Sequence, residues 1–273
     1  MSICTAPIYK LEALNNLFIE MTSKNCNQRC SKCYIDFPIS KCTKDFIPLD
    51  SVKECLFQTK CQDIHCIYLT GAEPMTHPDF NTILRLCLKR INVCICTNAS
   101  FLNEKKIRFL KKVEDEGQNQ IFFRLSLTHY DENLNDKAKY RGNFRQNILA
   151  LKILSGYNFE SVLSVQNFYN LPKEEITQNF SDIFAESGIK NSEIQISASY
   201  PVQAHEPMNS SVSPDCTAGR VLCNSGIYAC PFLANDYRGR VGASFKDYSK
   251  SVNAETDFCT ICLSSEKSVF AIG

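Results

Sequence analysis

Six apolar, β-like runs alternating with amphipathic helical runs over residues 1–200 predict an α/β fold: a partial (β/α)6 TIM-like barrel. Strand–helix–strand alternation of this kind demands parallel strands joined by right-handed crossovers. Six units fall short of the eight that close a full barrel, so the barrel is partial. After residue 200 the periodicity stops and Cys, Gly, Asn, Asp and Pro dominate, which predicts a small Cys-rich C-terminal domain over 201–273.

The first strand is read at 17–21 (LFIEM). A helix follows over 51–59, opened by Pro48 and Asp50. Residues 66–70 (CIYLT) form a buried strand that ends at Gly71, and Phe80, Ile83, Leu84, Cys87 and Leu88 recur at helical spacing. A strand at 92–96 precedes a charged helix whose apolar side carries Ile107 and Leu110 and which stops at Gly117. The strand at 121–127 (IFFRLSL) is followed by a helix with Phe144, Ile148 and Leu151 on one face, ending at Gly156. A strand at 161–166, a helix with Ile176, Phe180, Ile183 and Phe184, its stop at Gly188, and a sixth strand at 193–198 complete the series. Pro201, Pro207 and Pro214 then mark a linker.

Composition excludes several classes. Thirty Lys and Arg balance 29 Asp and Glu, and a net charge of +1 gives no electrostatic basis for binding nucleic acid or an anionic membrane. No apolar run approaches the roughly 18 residues that span a bilayer. The first 16 residues carry no apolar signal region, so a cytoplasmic location is expected. Sixteen cysteines in such a chain point to metal binding rather than to a secreted disulfide scaffold. Cys4, Cys42, Cys55, Cys61, Cys66, Cys87, Cys94 and Cys96 are scattered, several inside apolar segments, and read as small buried hydrophobes.

The remaining eight fall into two groups. Cys26, Cys30 and Cys33 follow the first strand directly. Three thiolates within eight residues can hold three irons of a 4Fe–4S cluster and leave the fourth open. A structural zinc site wants a fourth protein ligand, and the next cysteine, Cys42, is nine residues on. Parallel β/α folds bind ligands at the C-terminal ends of their strands, where this loop falls.

A CxxxCxxC loop after strand one of a partial barrel resembles the radical S-adenosylmethionine (radical SAM) superfamily. Gly71-Ala72-Glu73-Pro74 after strand two is similar to that family's GGEP motif, with Ala72 in place of its second Gly, and residues 75–80 resemble its usual continuation. Thr97-Asn98-Ala99 stands where relatives often carry Thr-Asn-Gly. The resemblance spans residues 17–198. It implies a 4Fe–4S cluster at Cys26, Cys30 and Cys33 and S-adenosyl-L-methionine chelated to the open iron. It further implies cleavage of that cofactor to a 5′-deoxyadenosyl radical that removes a substrate hydrogen. Cofactor contacts are expected from Glu73 to the methionyl ammonium, from Thr97, Asn98 and Ser126, and from Arg141 to the methionyl carboxylate. Gln166 and Asn167 are expected at the ribose and Tyr34 at the adenine, since Lys32 occupies the aromatic position the family often has before its third Cys.

In the C-terminal region Cys216, Cys230, Cys259 and Cys262 form the pattern C-x13-C-x28-C-x2-C, enough for a tetrahedral zinc site or a complete second 4Fe–4S cluster. The CxAG, GIYxCP and CxxC segments are similar to the SPASM appendage or its shorter form, Twitch, and the single set of four favours Twitch. Cys223 remains as a spare ligand, a buried thiol or a hydrogen donor. His129, Asp131 and Tyr200 are weak candidates for the base that an oxidation would require. The expected function is therefore a radical SAM enzyme that oxidises or rearranges a small metabolite, with the auxiliary cluster as electron acceptor or substrate anchor. The short stretch before strand one and the short appendage favour that reading over maturation of a ribosomal peptide. A reductant such as flavodoxin or ferredoxin is the expected partner. A non-catalytic zinc or iron–sulfur module is the alternative of a different class.

Overall fold

The computed structural model describes residues 7–31, 33, 45–198, 213–254, 256–265 and 267–270. A short strand β1 (Ile8–Lys10) precedes β2 (Asn16–Glu20), α1 (Leu49–Gln58), β3 (Cys66–Thr70), α2 (Phe80–Leu88), β4 (Val93–Thr97) and α3 (Glu104–Asp115). Next come β5 (Ile121–Leu127), α4 (Glu132–Ala138), α5 (Asn143–Gly156), β6 (Ser161–Asn167), α6 (Lys173–Ser187) and β7 (Ser192–Ala198). The C-terminal region adds β8 (Gly219–Cys223), β9 (Gly226–Tyr228), β10 (Arg240–Ser244), β11 (Asp247–Tyr248), β12 (Ser251–Asn253) and α7 (Asp257–Leu263).

The main sheet runs β11-β10-β9-β8-β2-β3-β4-β5-β6-β7. From β8 to β7 every pairing is parallel, and β2 to β7 are neighbours in chain order, as a partial β/α barrel requires. The six expected strands are present. A seventh parallel strand, β8, comes from the Cys-rich region and pairs with β2, so that region extends the sheet. Glycine permits the approach: a Cβ on Gly219 would lie 2.9 Å from the Phe18 ring and 3.2 Å from the Asn16 carbonyl oxygen.

Both faces of β2, β3 and β4 are buried, which is why they read as continuous apolar runs. Leu17, Ile19, Ile67, Leu69, Val93, Ile95, Phe123 and Leu163 pack outward under the helices. Phe18, Tyr68 and Cys94 alternate with them and pack on Val221, Ile261, Val269 and Phe270 from the C-terminal region. Phe18 stacks on Tyr68 with ring centroids 4.6 Å apart. The buried faces of α2, α3 and α6 are those the periodicity indicates. Helix α5 is turned: Phe144 and Ile148 are half-buried, while Asn143 and Asn147 are buried beside Ala150, Leu151 and Leu154. Cys55, Cys66, Cys87 and Cys94 are buried thiols, whereas Cys61 is exposed and Cys4 and Cys42 lie outside the described residues. No described helix is long and apolar enough to cross a membrane.

Candidate active site

The loop after β2 is held to the end of β3 by backbone hydrogen bonds. Ala72 N donates to Thr22 O at 2.9 Å, and Glu73 N donates to Asn25 O at 3.0 Å. The Thr22 hydroxyl accepts from Asn25 N at 3.0 Å and closes the turn that leads into Cys26. Gly71 makes this approach possible. Its φ is +126°, and a Cβ there would lie 2.5 Å from the Thr22 carbonyl oxygen.

Cys26, Cys30 and Cys33 line one cavity at the C-terminal ends of the parallel strands. Gln28 N and Asn98 Nδ2 each lie 3.4 Å from Cys26 Sγ as donors. Burial raises the Cys26 thiol above its usual range, opposed by the Gln28 N–H. Donors aimed at sulfur are what a thiolate ligand needs, and they offset that burial. A cubane gives each thiolate its own iron, so the sulfurs need only line a common space. Among the described residues no three His, Cys, Asp or Glu side chains converge closely enough to hold a single ion.

Thr97, Asn98, Ser126 and Gln166 line the same cavity. Glu73 does not. Its carboxylate is fully buried and accepts from the Thr97 hydroxyl at 2.9 and 3.0 Å, from Asn98 N at 2.9 Å and from Met75 N at 3.2 Å. Burial pushes its carboxyl up to about 7. Through these bonds Glu73 ties the end of β3 to the end of β4, and of this motif Gly71 and Ala72 line the cavity wall.

Arg141 is exposed and absent from the cavity wall. Lys139, two residues earlier, lines the cavity and donates from Nζ to Ser126 Oγ at 3.1 Å. The N-terminal turn of α5 carries Arg141 outward while Asp136 accepts from Gly142 N and from Phe144 N at 2.9 Å. Asn167 caps its own turn, with Nδ2 donating to Leu171 O at 2.8 Å and Oδ1 accepting from Leu171 N at 2.9 Å. His129 accepts from Asp131 N at 2.7 Å and packs on Tyr130 and Tyr169, and burial lowers its pKa. Asp131 caps α4 by accepting from Leu134 N at 2.9 Å. Neither faces the cavity, because both are consumed in starting α4. Tyr34 and Tyr200 lie outside the described residues.

Sequence reading missed Lys139, Gln28, Arg124, Cys96, Ser164 and Ser197 on this wall. Arg124 carried a legible signal: a charge inside an apolar strand, two residues from Ser126 and hence on its face. Asn143 carried none, since its Nδ2 reaches Gln28 Oε1 at 3.1 Å only through the fold.

A second, apolar cavity holds the other predicted ligands. Cys216, Cys230, Cys259 and Cys262 line it together with Tyr9, Ala229, Leu233, Val252 and Phe258. Burial pushes the Cys216 thiol up to about 11, despite the nearby Arg220, and raises Cys230 and Cys262 strongly. Arg220 is itself fully buried and donates to the carbonyls of Cys216, Gly219 (2.7 Å) and Lys250 (2.8 Å). Cys223 is elsewhere, on β8, where it hydrogen-bonds the buried Glu20 carboxylate.

A barrel of parallel strands with three cysteines in its first loop defines a cluster-binding β/α enzyme class. The Radical SAM superfamily model matches residues 21–183, and the chain belongs to that family, whose members are enzymes carrying a 4Fe–4S cluster and binding S-adenosylmethionine. No curated protein sequence matches it. Among solved structures, Streptococcus suis SuiB bound to precursor peptide SuiA superposes with a TM-score of 0.64 at 16% identity, covering 93% of this chain and 65% of that one. Native anSMEcpe with bound AdoMet gives 0.65 at 14%, covering 86% and 78%. Methylornithine synthase (PylB) gives 0.54 at 16%, covering 70% and 55%. In two further SuiB structures the match covers only 41% and 42% of the SuiB chain. At these identities the likeness is one of fold.

Proposed function

We propose that this chain cleaves S-adenosylmethionine reductively and uses the resulting radical to oxidise or rearrange a small substrate seated in the barrel. The observation that carries the reading is the gathering of Cys26, Cys30 and Cys33 on the wall of a cavity that Thr97, Asn98, Ser126 and Gln166 also face. When bound, the cluster and S-adenosylmethionine supply a 5′-deoxyadenosyl radical that removes a substrate hydrogen.

The chain's own residues hold, orient and enclose. Cys26, Cys30 and Cys33 would bind three irons. Asn98 Nδ2 and Gln28 N keep hydrogen bonds on the Cys26 sulfur. Lys139, placed on Ser126, takes the part expected of Arg141 and offers its ammonium to the methionyl carboxylate. Glu73 acts as a positioning residue through Thr97 and Asn98. Phe232, Val269 and Phe270 close the cavity on an apolar side, which suits a small substrate or one small group of a larger one.

The four-cysteine cavity would hold an auxiliary 4Fe–4S cluster of Twitch type, an electron sink for a substrate radical or an anchor for the substrate. Four thiols lining one cavity match the ligand count of a complete cubane, and of a tetrahedral zinc site. The likeness to SuiB bound to precursor peptide SuiA favours a second reading, a peptide substrate. The reductant would be of flavodoxin or ferredoxin type. The test is anaerobic reconstitution with iron and sulfide counts and a dithionite-driven assay for 5′-deoxyadenosine. About eight irons with cleavage supports both sites. About four irons with cleavage removes the auxiliary cluster, and bound zinc without cleavage overturns the reading.

A further inference from the structure

Inside the barrel, β5 carries Arg124 on the face it shares with Ser126. The residue is only 5% exposed and lines the same cavity as the three cysteines. Its Nη2 is committed, donating to Ser164 Oγ at 3.3 Å and to the carbonyl of Val269. Its Nη1 is buried with no hydrogen-bond partner. A buried cation with an open donor is costly unless a counter-charge meets it.

The chain does not supply that charge at bonding distance among the described residues. Asp215 is a buried carboxylate whose field reaches Arg124, but its oxygens accept from Ser268 Oγ, from Val269 N at 3.1 Å and from Cys262 Sγ at 3.6 Å. Cys96 faces Arg124 in register across β4 and β5, and its thiol is drawn below the usual range by Cys94 and by the guanidinium. Cys96 and Arg124 both line the cavity. The hydroxyls of Ser126, Ser164 and Ser197 line the same cavity, neutral donors for an oxyanion.

We infer that Arg124 binds an anionic group of the substrate, a carboxylate or phosphate, at the inner end of the cavity. This rests on the substrate sitting in the barrel as proposed above. Arg124 lies two residues deeper on β5 than Ser126, the residue that meets Lys139, so the substrate's anion and the methionyl carboxylate are assigned to different cations. Arginine suits the deeper place because its planar fork hydrogen-bonds the C-terminal segment with one amine and a ligand with the other.

The test is calorimetric titration of the anaerobically reconstituted protein with S-adenosylmethionine in excess, so that a carboxylate site belonging to the cofactor is already filled. The probes are glutarate, inorganic phosphate and neutral glutaramide. Glutarate or phosphate should bind and glutaramide should not. Arg124→Gln should weaken the anion about tenfold or more, the scale of one charge-assisted hydrogen bond. Arg124→Lys, which keeps the charge where the Gln variant fails to fold, should weaken it less. Binding of glutarate by the wild type without cofactor but not with it, equal binding of glutaramide, or binding unaffected in Arg124→Lys and Arg124→Gln would overturn the inference. So would absence of anion binding by a wild type that binds S-adenosylmethionine. Failure to bind S-adenosylmethionine at all would instead sink the function reading. Binding of acetyl-Gly-Glu-Gly-amide as tightly as glutarate assigns the anion to a peptide side chain, and binding of glutarate alone assigns it to a small acid.

Discussion

The two cysteine cavities are built differently. The first sets polar groups into a largely apolar lining: Cys26 receives hydrogen bonds from Gln28 N and Asn98 Nδ2, and hydroxyls, Lys139 and Arg124 share its wall. The second is walled by Tyr9, Leu233, Val252 and Phe258, and its nearest charges, Arg220 and Asp215, are buried. Three cysteines with hydrogen-bond donors and cationic side chains on the same wall suit a site that exchanges ligands. Four in an apolar shell suit a site that only holds. Solvent access and second-shell donors set the behaviour of such centres as much as the ligands do.

The largest effect expected on the first site comes from Gly71→Val. Its positive φ and the 2.5 Å approach of a Cβ to the Thr22 oxygen leave no room for a branched side chain. The loop should detach, and iron counts on the reconstituted variant should fall by about four, one cubane. At the second site, Arg220→Leu removes three hydrogen bonds to backbone carbonyls, a loss of about 3 kcal/mol. Urea unfolding should register it, and the iron lost should be that of the second site. A variant that loses iron from both sites equally would erase the distinction between them.

The smallest effect is on pH dependence. The Glu73 carboxyl is raised from 4.5 to about 7 by burial, so the fold prefers it protonated. Its contribution is complete below pH 4.5 and declines as pH rises towards about 7. Glu20 and Asp215 are raised in the same direction by burial. Glu73→Gln should therefore make the fall in stability across that window shallower without abolishing it, as read by urea midpoints at several pH values.

Much of this was legible in the chain. Strand and helix periodicity located six parallel strands, and cysteine spacing located both groups of thiols, because period and ligand count are local properties. What was not legible depends on packing across the fold. The second face of β2 is completed by Val221 and Phe270, about 200 residues and more further on, so nothing near Phe18 announces β8 or the C-terminal segment. Glu73 sits in a motif that resembles a cofactor contact, yet burial turns its carboxylate to Thr97 and Asn98. Arg141 and Lys139 differ by two positions at the end of α4, and only the turn geometry decides which one reaches Ser126. Helix α5 buries Asn143 and Asn147 against its own apolar pattern because Gln28 and Asn98 need partners there.

The central claim is that one site generates the radical and the other does not. The direct measurement compares Cys30→Ala with Cys230→Ala after anaerobic reconstitution, by iron content and by the electron paramagnetic resonance of the reduced proteins with and without S-adenosylmethionine. The account predicts that each variant loses about four irons. It also predicts that only Cys30→Ala loses both the spectral response to S-adenosylmethionine and the formation of 5′-deoxyadenosine. A response that survives in Cys30→Ala, or that vanishes only in Cys230→Ala, would contradict it.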